Sequence, residues 1–428
     1  MAHATSFLSA MLAAAYMAGA AHAELHLEGE TRLRYETLSA PFRSGATGSD
    51  QQASWRSRLL IEAHGETLDA GLELFDSRAF LTDEGSRLSS TMINTLDVLQ
   101  AYVRWRPSEQ TEVQAGRFVM NVGSRRLIGE NGYRNWPNAF EGVRAEFEPR
   151  PGWRVDAFYT APVRRRPSDF ASLLDNEQGF DDGDWDTRFY GAHLTRDELV
   201  AGADFEIYAY GFDQEDGAAL LTPGVRLSRG GAPGRFDFDV EAIAQTGEIE
   251  RAGGDLDVAA ASLHLEAGYT FDAPWRPRLS AQYVYASGDE DPFDAEFERF
   301  NPFYSLRRGD LGQTGLFGPF DRDNISAIGA RLDVRKGPVR GHLFIQDVDL
   351  ASARDRWRRG RFSDPTGAAG DDVSFVVDAQ LRWWIVQDRV RLDTGAAWFD
   401  KHRFAKTAPG APADDDPVYG WFMIETFF

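Results

Sequence analysis

Arginine is the residue type in this chain that is best suited to bind a ligand. Of the 46 basic residues, only Lys336, Lys401 and Lys406 are lysines. A guanidinium can hold a carboxylate or phosphate through two parallel hydrogen bonds, so the excess of arginine favours an anionic ligand. A GC-rich genome would produce the same bias, and both explanations stay open. The candidate anion contacts are Arg32, Arg34, Arg56, Arg58, Arg104, Arg117, Arg125, Arg126, Arg134 and Arg144.

Catalytic and metal chemistry have little support in the sequence. The chain has no cysteine, which excludes a thiolate metal site, and its histidines are few and scattered. No nucleophile elbow, HExxH helix or phosphate-binding loop occurs. We therefore expect neither an enzyme nor a cofactor. The formal net charge of -21 also argues against nucleic acid as a partner.

The N-terminus is predicted to be an export signal. Phe7–Met17 is a short apolar core, and Ala21-His22-Ala23 has the small residues of a cleavage site, although no Lys or Arg precedes the core. Residues 24–428 then form one unit. They contain no run of about 20 apolar residues, so no transmembrane helix is predicted.

The mature chain alternates between apolar and charged residues with the period of a β-strand. In the first segment Leu33 and Tyr35 have one parity, and Arg32, Arg34 and Glu36 have the other. Many such runs last about 9–11 residues, the length with which a tilted strand crosses a bilayer. Because an open sheet edge would leave backbone groups unpaired in lipid, the sheet must close. The sequence predicts a transmembrane antiparallel β-barrel in the outer membrane of a Gram-negative bacterium.

The links between these strands alternate strictly between short and long. The predicted short links are His64–Thr67, Pro107–Thr111, Pro149–Gly152, Thr195–Gly202, Arg229–Gly234, Asp272–Pro277, Lys336–Gly337 and Gln387–Asp388. The predicted long links are Thr37–Gln52, Ser77–Leu96, Val119–Pro137, Ala161–Asp184, Asp213–Leu220, Gly247–Asp255, Gly288–Arg322, Leu350–Asp371 and Lys401–Pro417. Short periplasmic turns and longer extracellular loops are typical of bacterial barrels. The count gives about 18 strands, with the N-terminus in the periplasm.

Two further segments predict partners and pore geometry. Val418–Phe428 alternates and ends in an aromatic residue, which resembles the signal that outer-membrane proteins present to the barrel insertion machinery. The link Gly288–Arg322 is rich in aromatic residues and is expected to fold over or into the pore. Alternatively, its aromatic residues stand at the lipopolysaccharide interface. A monomer surrounded by outer-membrane lipids and lipopolysaccharide is expected.

The charged parity must face the lumen, because an arginine at the bilayer midplane costs about 2–4 kcal/mol. Besides the candidates above, this puts Arg226, Arg278, Arg331 and Arg382 in the lumen. Two interpretations compete. The arginines and acids pair into a network that stiffens the wall, or unpaired arginines form a positive ring that selects anions.

One segment carries a family resemblance. Gly116–Arg144, with Leu72–Arg78 and Leu99–Val103 upstream, resembles the signature of the alginate-export family of outer-membrane barrels, and Phe300–Tyr304 is weakly similar to a later motif. The resemblance implies an eighteen-stranded barrel that exports a polyuronate through an arginine-rich constriction, with periplasmic export components as possible partners. It makes Arg117, Arg125, Arg126, Arg134 and Arg144 the best candidates for contacting an anionic chain.

Three functions follow as hypotheses. The leading one is a channel that passes an anionic solute or polysaccharide. The second is a general or substrate-specific uptake porin whose lumen charges are mixed. The third is a plugged barrel that acts as a surface anchor or receptor. Ion selectivity separates the first two, and an absence of conductance would favour the third.

Overall fold

The computed structural model describes residues 24–82, 86, 88–251, 254–412 and 415–428. The predicted export signal, residues 1–23, lies outside the described residues. Within these ranges, three short helices occur in the links: α1 (Phe170–Leu174), α2 (Arg308–Leu311) and α3 (Arg403–Thr407). Among the described residues, no helix combines the length and the apolar character needed to cross a membrane.

Eighteen long strands form the main sheet. They are β1 (Glu24–Leu38), β2 (Asp50–His64), β3 (Leu68–Phe80), β4 (Asn94–Ser108), β5 (Thr111–Phe118), β6 (Phe140–Arg150), β7 (Trp153–Arg164), β8 (Thr187–Val200), β9 (Ala203–Gln214), β10 (Ala218–Arg229), β11 (Arg235–Ile249), β12 (Leu256–Thr270), β13 (Arg278–Ala286), β14 (Ile325–Lys336), β15 (Val339–Asp349), β16 (Asp372–Val386), β17 (Val390–Lys401) and β18 (Val418–Phe427). The two-residue strands Asp182–Gly183 and Glu296–Phe297 extend this sheet, and Arg356–Trp357 pairs with Phe362–Ser363 separately.

The sheet closes on itself. Each strand pairs antiparallel with the next, and β18 pairs with β1 from Glu30 opposite Phe427 to Leu38 opposite Tyr419. Phe428 continues the seam by exchanging backbone hydrogen bonds with Gly29 at 2.8 and 3.0 Å. Its ring lies where a Cβ on residue 29 would stand, which explains the glycine there. The predicted eighteen-stranded antiparallel barrel is confirmed.

Alternation along the strands sorts the side chains as predicted. In β1, Leu33 is 54% exposed on the outer surface, whereas Arg32 and Arg34 on the inner face are only 1% exposed. Trp55 and Leu343 are also exposed on the outside. The outer surface is thus apolar and the interior charged, which is the arrangement that a barrel in lipid requires.

Each of the eight predicted short links contains a turn at one end of the barrel, here called the short-turn end. The predicted link Thr195–Gly202 is shorter than expected, because β8 continues to Val200. At the opposite, long-link end, one prediction was wrong: Asp213–Leu220 is not a long link, because β9 and β10 extend to a turn at residues 215–217. Asp216 has φ +53° and is followed by Gly217. Asp-Gly is a strong hairpin signal, since such turns need positive φ, but alternation of apolar and charged residues does not reveal it.

Two of the long links enter the barrel. We call residues 119–139 the first inward segment and residues 287–324 the second inward segment. Trp136 in the first, and Phe300 and Phe317 in the second, are at most 1% exposed. Of the two alternatives for Gly288–Arg322, the structure shows the one in which the link folds into the pore.

Candidate functional site

The two inward segments are joined by backbone hydrogen bonds. Gly129 donates to the Tyr304 carbonyl at 3.1 Å, and Tyr304 donates to Leu127 at 3.0 Å. Leu306 donates to the Arg125 carbonyl at 2.8 Å. Because this pairing resembles a short sheet, the two segments form one structural unit inside the lumen.

The second inward segment spans the lumen between distant walls. On one side, the Asn301 backbone N–H donates to Gln245 of β11 at 2.8 Å. On the other, the Leu316 N–H donates to the Glu36 carboxylate of β1 at 3.1 Å. Since β1 and β11 lie on nearly opposite sides of the closed sheet, the segment crosses the lumen from one wall to the other.

Three of the predicted arginines anchor the first inward segment. Arg32, Arg34 and Arg56 each donate to a carbonyl of residues 132–134, and the closest such bond of each measures 2.6–2.9 Å. All three are at most 3% exposed. Charge-assisted hydrogen bonds of this kind are stronger than neutral ones, so the arginines act as clamps on the loop backbone. That a moving solute contacts them stays a prediction.

Most of the remaining candidates pair with acids. Arg58 pairs with Glu73 and, at 3.0 Å, with Glu130; Arg104 with Glu112 at 3.0 Å; Arg117 with Glu141 at 2.6 Å; Arg144 with Asp156 at 2.5 Å; Arg126 with Asp239 at 3.0 Å, Glu241 at 2.7 Å and Asp310 at 2.8 Å. Arg134 donates to the Asn138 side chain at 3.3 Å. These contacts correspond to the structural network that the sequence left as one interpretation.

Arg125 differs from the other candidates. Its side chain is exposed, and its guanidinium has neither a hydrogen-bond acceptor nor an ion-pair partner among the described residues. Its φ of +64° turns the first inward segment at this point. Arg125 therefore presents an unpaired guanidinium to the space beneath the inward segments.

That space is a cavity of about 1120 Å³ between the inward segments and the short-turn end. Its lining contains ten arginines and six carboxylates, so it carries a positive excess although the whole chain is acidic. The arginines are Arg125, Arg226, Arg229, Arg276, Arg278, Arg308, Arg331, Arg335, Arg340 and Arg382. The acids are Asp204, Glu206, Asp237, Asp239, Glu266 and Asp333.

The sequence identified only part of this lining. Arg226, Arg278, Arg331 and Arg382 were predicted from strand parity. It missed Arg229, Arg276, Arg308, Arg335 and Arg340, which lie in turns, at strand ends or in the second inward segment. The alternation of β14 and β15, continued to their ends, would have found Arg335 and Arg340. No periodic signal marks Arg308, because the second inward segment is irregular.

At the long-link end, aromatic side chains from several links pack together. Phe42, Phe317, Trp357 and Phe399 form an aromatic cap, in which the centroids of contacting rings are 5.6–6.0 Å apart. Beside it Arg307 contacts Asp321 at 2.9 Å. Burial alone would raise the pKa of Asp321, but the surrounding arginines outweigh it and lower that pKa to about 2. The cap packs the second inward segment against the barrel wall at the long-link end.

One cluster has the composition of a metal site. Asp347, Asp372 and His402 offer ligand atoms within 4.8 Å of one another at the long-link end. Exposed acidic groups commonly lie together without a metal. We assign the cluster no role.

The comparison with protein families finds one match. The family described as alginate export matches residues 23–418, which is most of the chain. This confirms the resemblance that the segment Gly116–Arg144 carries. A comparison with curated proteins finds no match.

Solved structures of similar shape come from Pseudomonas aeruginosa. OccK9 (OpdG) has 12% identity and a TM-score of 0.64, OccK2 (OpdF) in complex with glucuronate 11% and 0.62, and OccK5 (OpdH) 13% and 0.60. Each comparison covers 95% of this chain and 98% of the other. At such low identity the likeness shows the fold alone. With the fold of these barrels and a family match over most of its length, this chain belongs to the alginate export family of outer-membrane channels.

Proposed function

We propose that this channel passes an anionic solute or polysaccharide, with a polyuronate as the best candidate. The solute would move through the cavity that lies between the short-turn end and the inward segments. The observation that carries the proposal is the inverted charge of the cavity: ten arginines face six carboxylates in a chain of net charge -21. A low-dielectric wall lined by one excess charge focuses the field and concentrates counter-ions. Anions would be enriched in this cavity and cations depleted.

The chemistry of the lining fits carboxylates. Guanidinium groups bind them in bidentate geometry, and Arg125 has no competing partner in the described residues. Arg308 lies over the Tyr133 ring at 3.5 Å, which places a second cation on the first inward segment's face of the cavity. Glucuronate, a uronate, is bound by OccK2, which shares this fold. These facts support a uronate as cargo.

The proposal also assigns an orientation and partners. The short-turn end faces the periplasm and the long-link end the exterior, next to lipopolysaccharide. The strand β18 with Phe428 serves as the signal to the insertion machinery, and residues 1–23 are removed on export. One chain closes the barrel by itself, and the proposed working unit is a monomer.

The test is the reversal potential of the channel in a planar bilayer with a KCl gradient. We expect the wild type to prefer chloride, and Arg125→Gln to lose part of that preference without loss of stability, because Arg125 has no partner to leave unpaired. Arg389→Gln removes an exposed arginine from a short turn that does not line the cavity, and should keep the wild-type selectivity. Cation preference of the wild type would refute the proposal.

A general or uptake porin is the second candidate. The observation that favours it is that several lining arginines are neutralised, as Arg226 is by Glu206 at 2.7 Å and Arg278 is by Asp237. A reversal potential near zero, with no block by galacturonate oligomers, would support it. The inward segments and aromatic cap would suit a plugged anchor or receptor, for which no conductance is expected.

A further inference from the structure

A row of arginines crosses three strands at the short-turn end. In the register of the sheet, Arg335 of β14 lies directly opposite Arg340 of β15, and Arg340 lies opposite Arg382 of β16. Like charges directly opposite each other on one face destabilise a sheet. The row therefore does not stabilise the sheet. Its position is better explained by binding of an anionic ligand.

Two members of the row lack partners. Arg382 pairs with Asp393 at 2.8 Å. Arg335 and Arg340 are exposed, and within the described ranges no acid or acceptor contacts either side chain. Arg276, in the turn between β12 and β13, is also exposed and unpaired there. Three uncompensated guanidinium groups thus lie at the same end of the barrel.

A hydrogen bond and a cleft bring these groups together. The Arg335 backbone N–H donates to the Trp275 carbonyl at 2.7 Å, which fixes the turn against β14. A cleft of about 500 Å³ is lined by Arg276, Arg335, Arg340 and Lys336, with Trp275 and no acid. The same three arginines also line the main cavity, so the cleft opens into the lumen.

We propose that this cleft is a capture site at the periplasmic mouth, which binds the carboxylates of an anionic polysaccharide chain at the point where the chain enters or leaves the lumen. The inference rests on the proposed function and adds a second binding site to the main cavity. A carboxylate at the cleft would contact Arg335, Arg340 and Arg276, and the next contacts along the cavity are Arg308 and Arg125.

The direction of the side chains favours cargo over a lipid headgroup. Arg335 and Arg340 have the parity that faces the lumen, while Leu332 and Leu343 have the opposite parity and are exposed to the lipid side. A phospholipid phosphate would need the outward positions. Continuity with the main cavity likewise favours a ligand that passes through the channel.

The experiment is single-channel recording with galacturonate oligomers added to one side. Because the chain has no native cysteine, Asp388→Cys places a single thiol in a short turn. A membrane-impermeant thiol reagent added to one side labels this thiol only if the short-turn end faces that side, which gives the orientation of the channel. We expect longer blocking events when the oligomer is added at the short-turn side. In the double variant Arg335→Gln with Arg340→Gln, the dwell time should fall at least about tenfold, which corresponds to about 1.4 kcal/mol.

The matched control is Arg150→Gln with Arg389→Gln. It removes two exposed arginines from other short turns, and neither lines the cleft or the cavity. Its dwell time should equal that of the wild type. Far-ultraviolet circular dichroism and resistance of the unheated barrel to sodium dodecyl sulfate, measured for both doubles, show that each variant is folded.

Three outcomes would overturn the inference. They are equal dwell times in the two doubles, equal block from both sides, and an effect of the arginines that disappears when phosphatidylglycerol is left out of the bilayer, which would indicate a lipid site. If chloride preference persists in any of these cases, the proposed function stands and only the capture site falls. Cation preference of the wild type would remove the proposed function itself.

Discussion

The half of the barrel formed by β1–β6 and the half formed by β9–β16 use the same residue for different purposes. Both carry arginines on the lumen-facing parity. In the first half, the first inward segment fills the space, and Arg32, Arg34 and Arg56 are buried against its carbonyls. In the second half the space stays open as a cavity of about 1120 Å³. What an arginine does in this lumen is decided by what lies opposite it.

The physical requirement differs accordingly. A buried guanidinium is tolerated only when nearly every donor has an acceptor, since unpaired buried charge is costly. In the first half, here called the clamped half, backbone carbonyls and carboxylates such as Glu30 accept these hydrogen bonds. In the open half, water hydrates the charges, so arginines can remain unpaired and available to a solute. Stability should therefore depend on the first half and selectivity on the second.

The largest effect is expected from Arg56→Ala in the clamped half. The substitution leaves the Glu30 carboxylate without its guanidinium donor, and the carbonyls of residues 132 and 134 keep only their hydrogen bonds from Arg32. Breaking a buried pair in this way costs about 3–5 kcal/mol. We expect a lower midpoint of urea unfolding in lipid vesicles, and higher, noisier conductance because the first inward segment is released.

Arg154→Ala is the control for this change. Arg154 is half exposed, and its contact with Asp197 is long, at 3.8 Å. Surface pairs of this kind contribute at most about 1 kcal/mol. Equal unfolding midpoints for the two variants would show that the clamp has no structural role.

An intermediate effect is expected from Asp310→Asn, which weakens the connection between the halves. Asp310, on the second inward segment, accepts hydrogen bonds from Arg126 at 2.8 Å and from Arg322. Arg126 belongs to the first inward segment and also binds Glu241 of β11 at 2.7 Å. Losing the charge should cost about 1.5–3 kcal/mol, the range for hydrogen bonds to charged groups.

Single-channel recording measures the result. The isosteric amide should increase the frequency of brief openings, because the two inward segments are less firmly joined. Asp388→Asn, an exposed acid in a short turn, provides the same chemical change away from the segments. Identical gating of both variants would mean that the joint is held by the backbone pairing alone.

The barrel itself was predictable because its physics is local. Alternation between Leu33 and Arg34 follows from one strand having a lipid side and a water side, and closure follows from the absence of acceptors in lipid. The turn at Asp216 and Gly217 was also a local signal, but alternation of apolar and charged residues does not reveal it.

The roles of the arginines were not predictable from the same pattern. Arg32 and Arg134 are about a hundred positions apart, yet the Arg32 guanidinium donates a hydrogen bond to the Arg134 carbonyl. Strand parity says that Arg32 faces inward, and it says nothing about which loop enters the barrel. Arg125 and Arg126 are neighbours in sequence, and only the fold shows that one is exposed and the other surrounded by acids.

The smallest effect, and the most direct test of the comparison, is expected from Arg226→Gln against Arg144→Gln. The two arginines are 17% and 16% exposed, and each is paired with acids, but only Arg226 lines the cavity. Removing one charge about 10 Å from a permeating ion in water changes its energy by about 0.4 kcal/mol, or about twofold in the permeability ratio. Arg226→Gln should lower the chloride preference by this amount, and Arg144→Gln should leave the reversal potential unchanged. Equal shifts in both would mean that ions reach the clamped half as well, and that the division of the lumen into a structural and a conducting side is wrong.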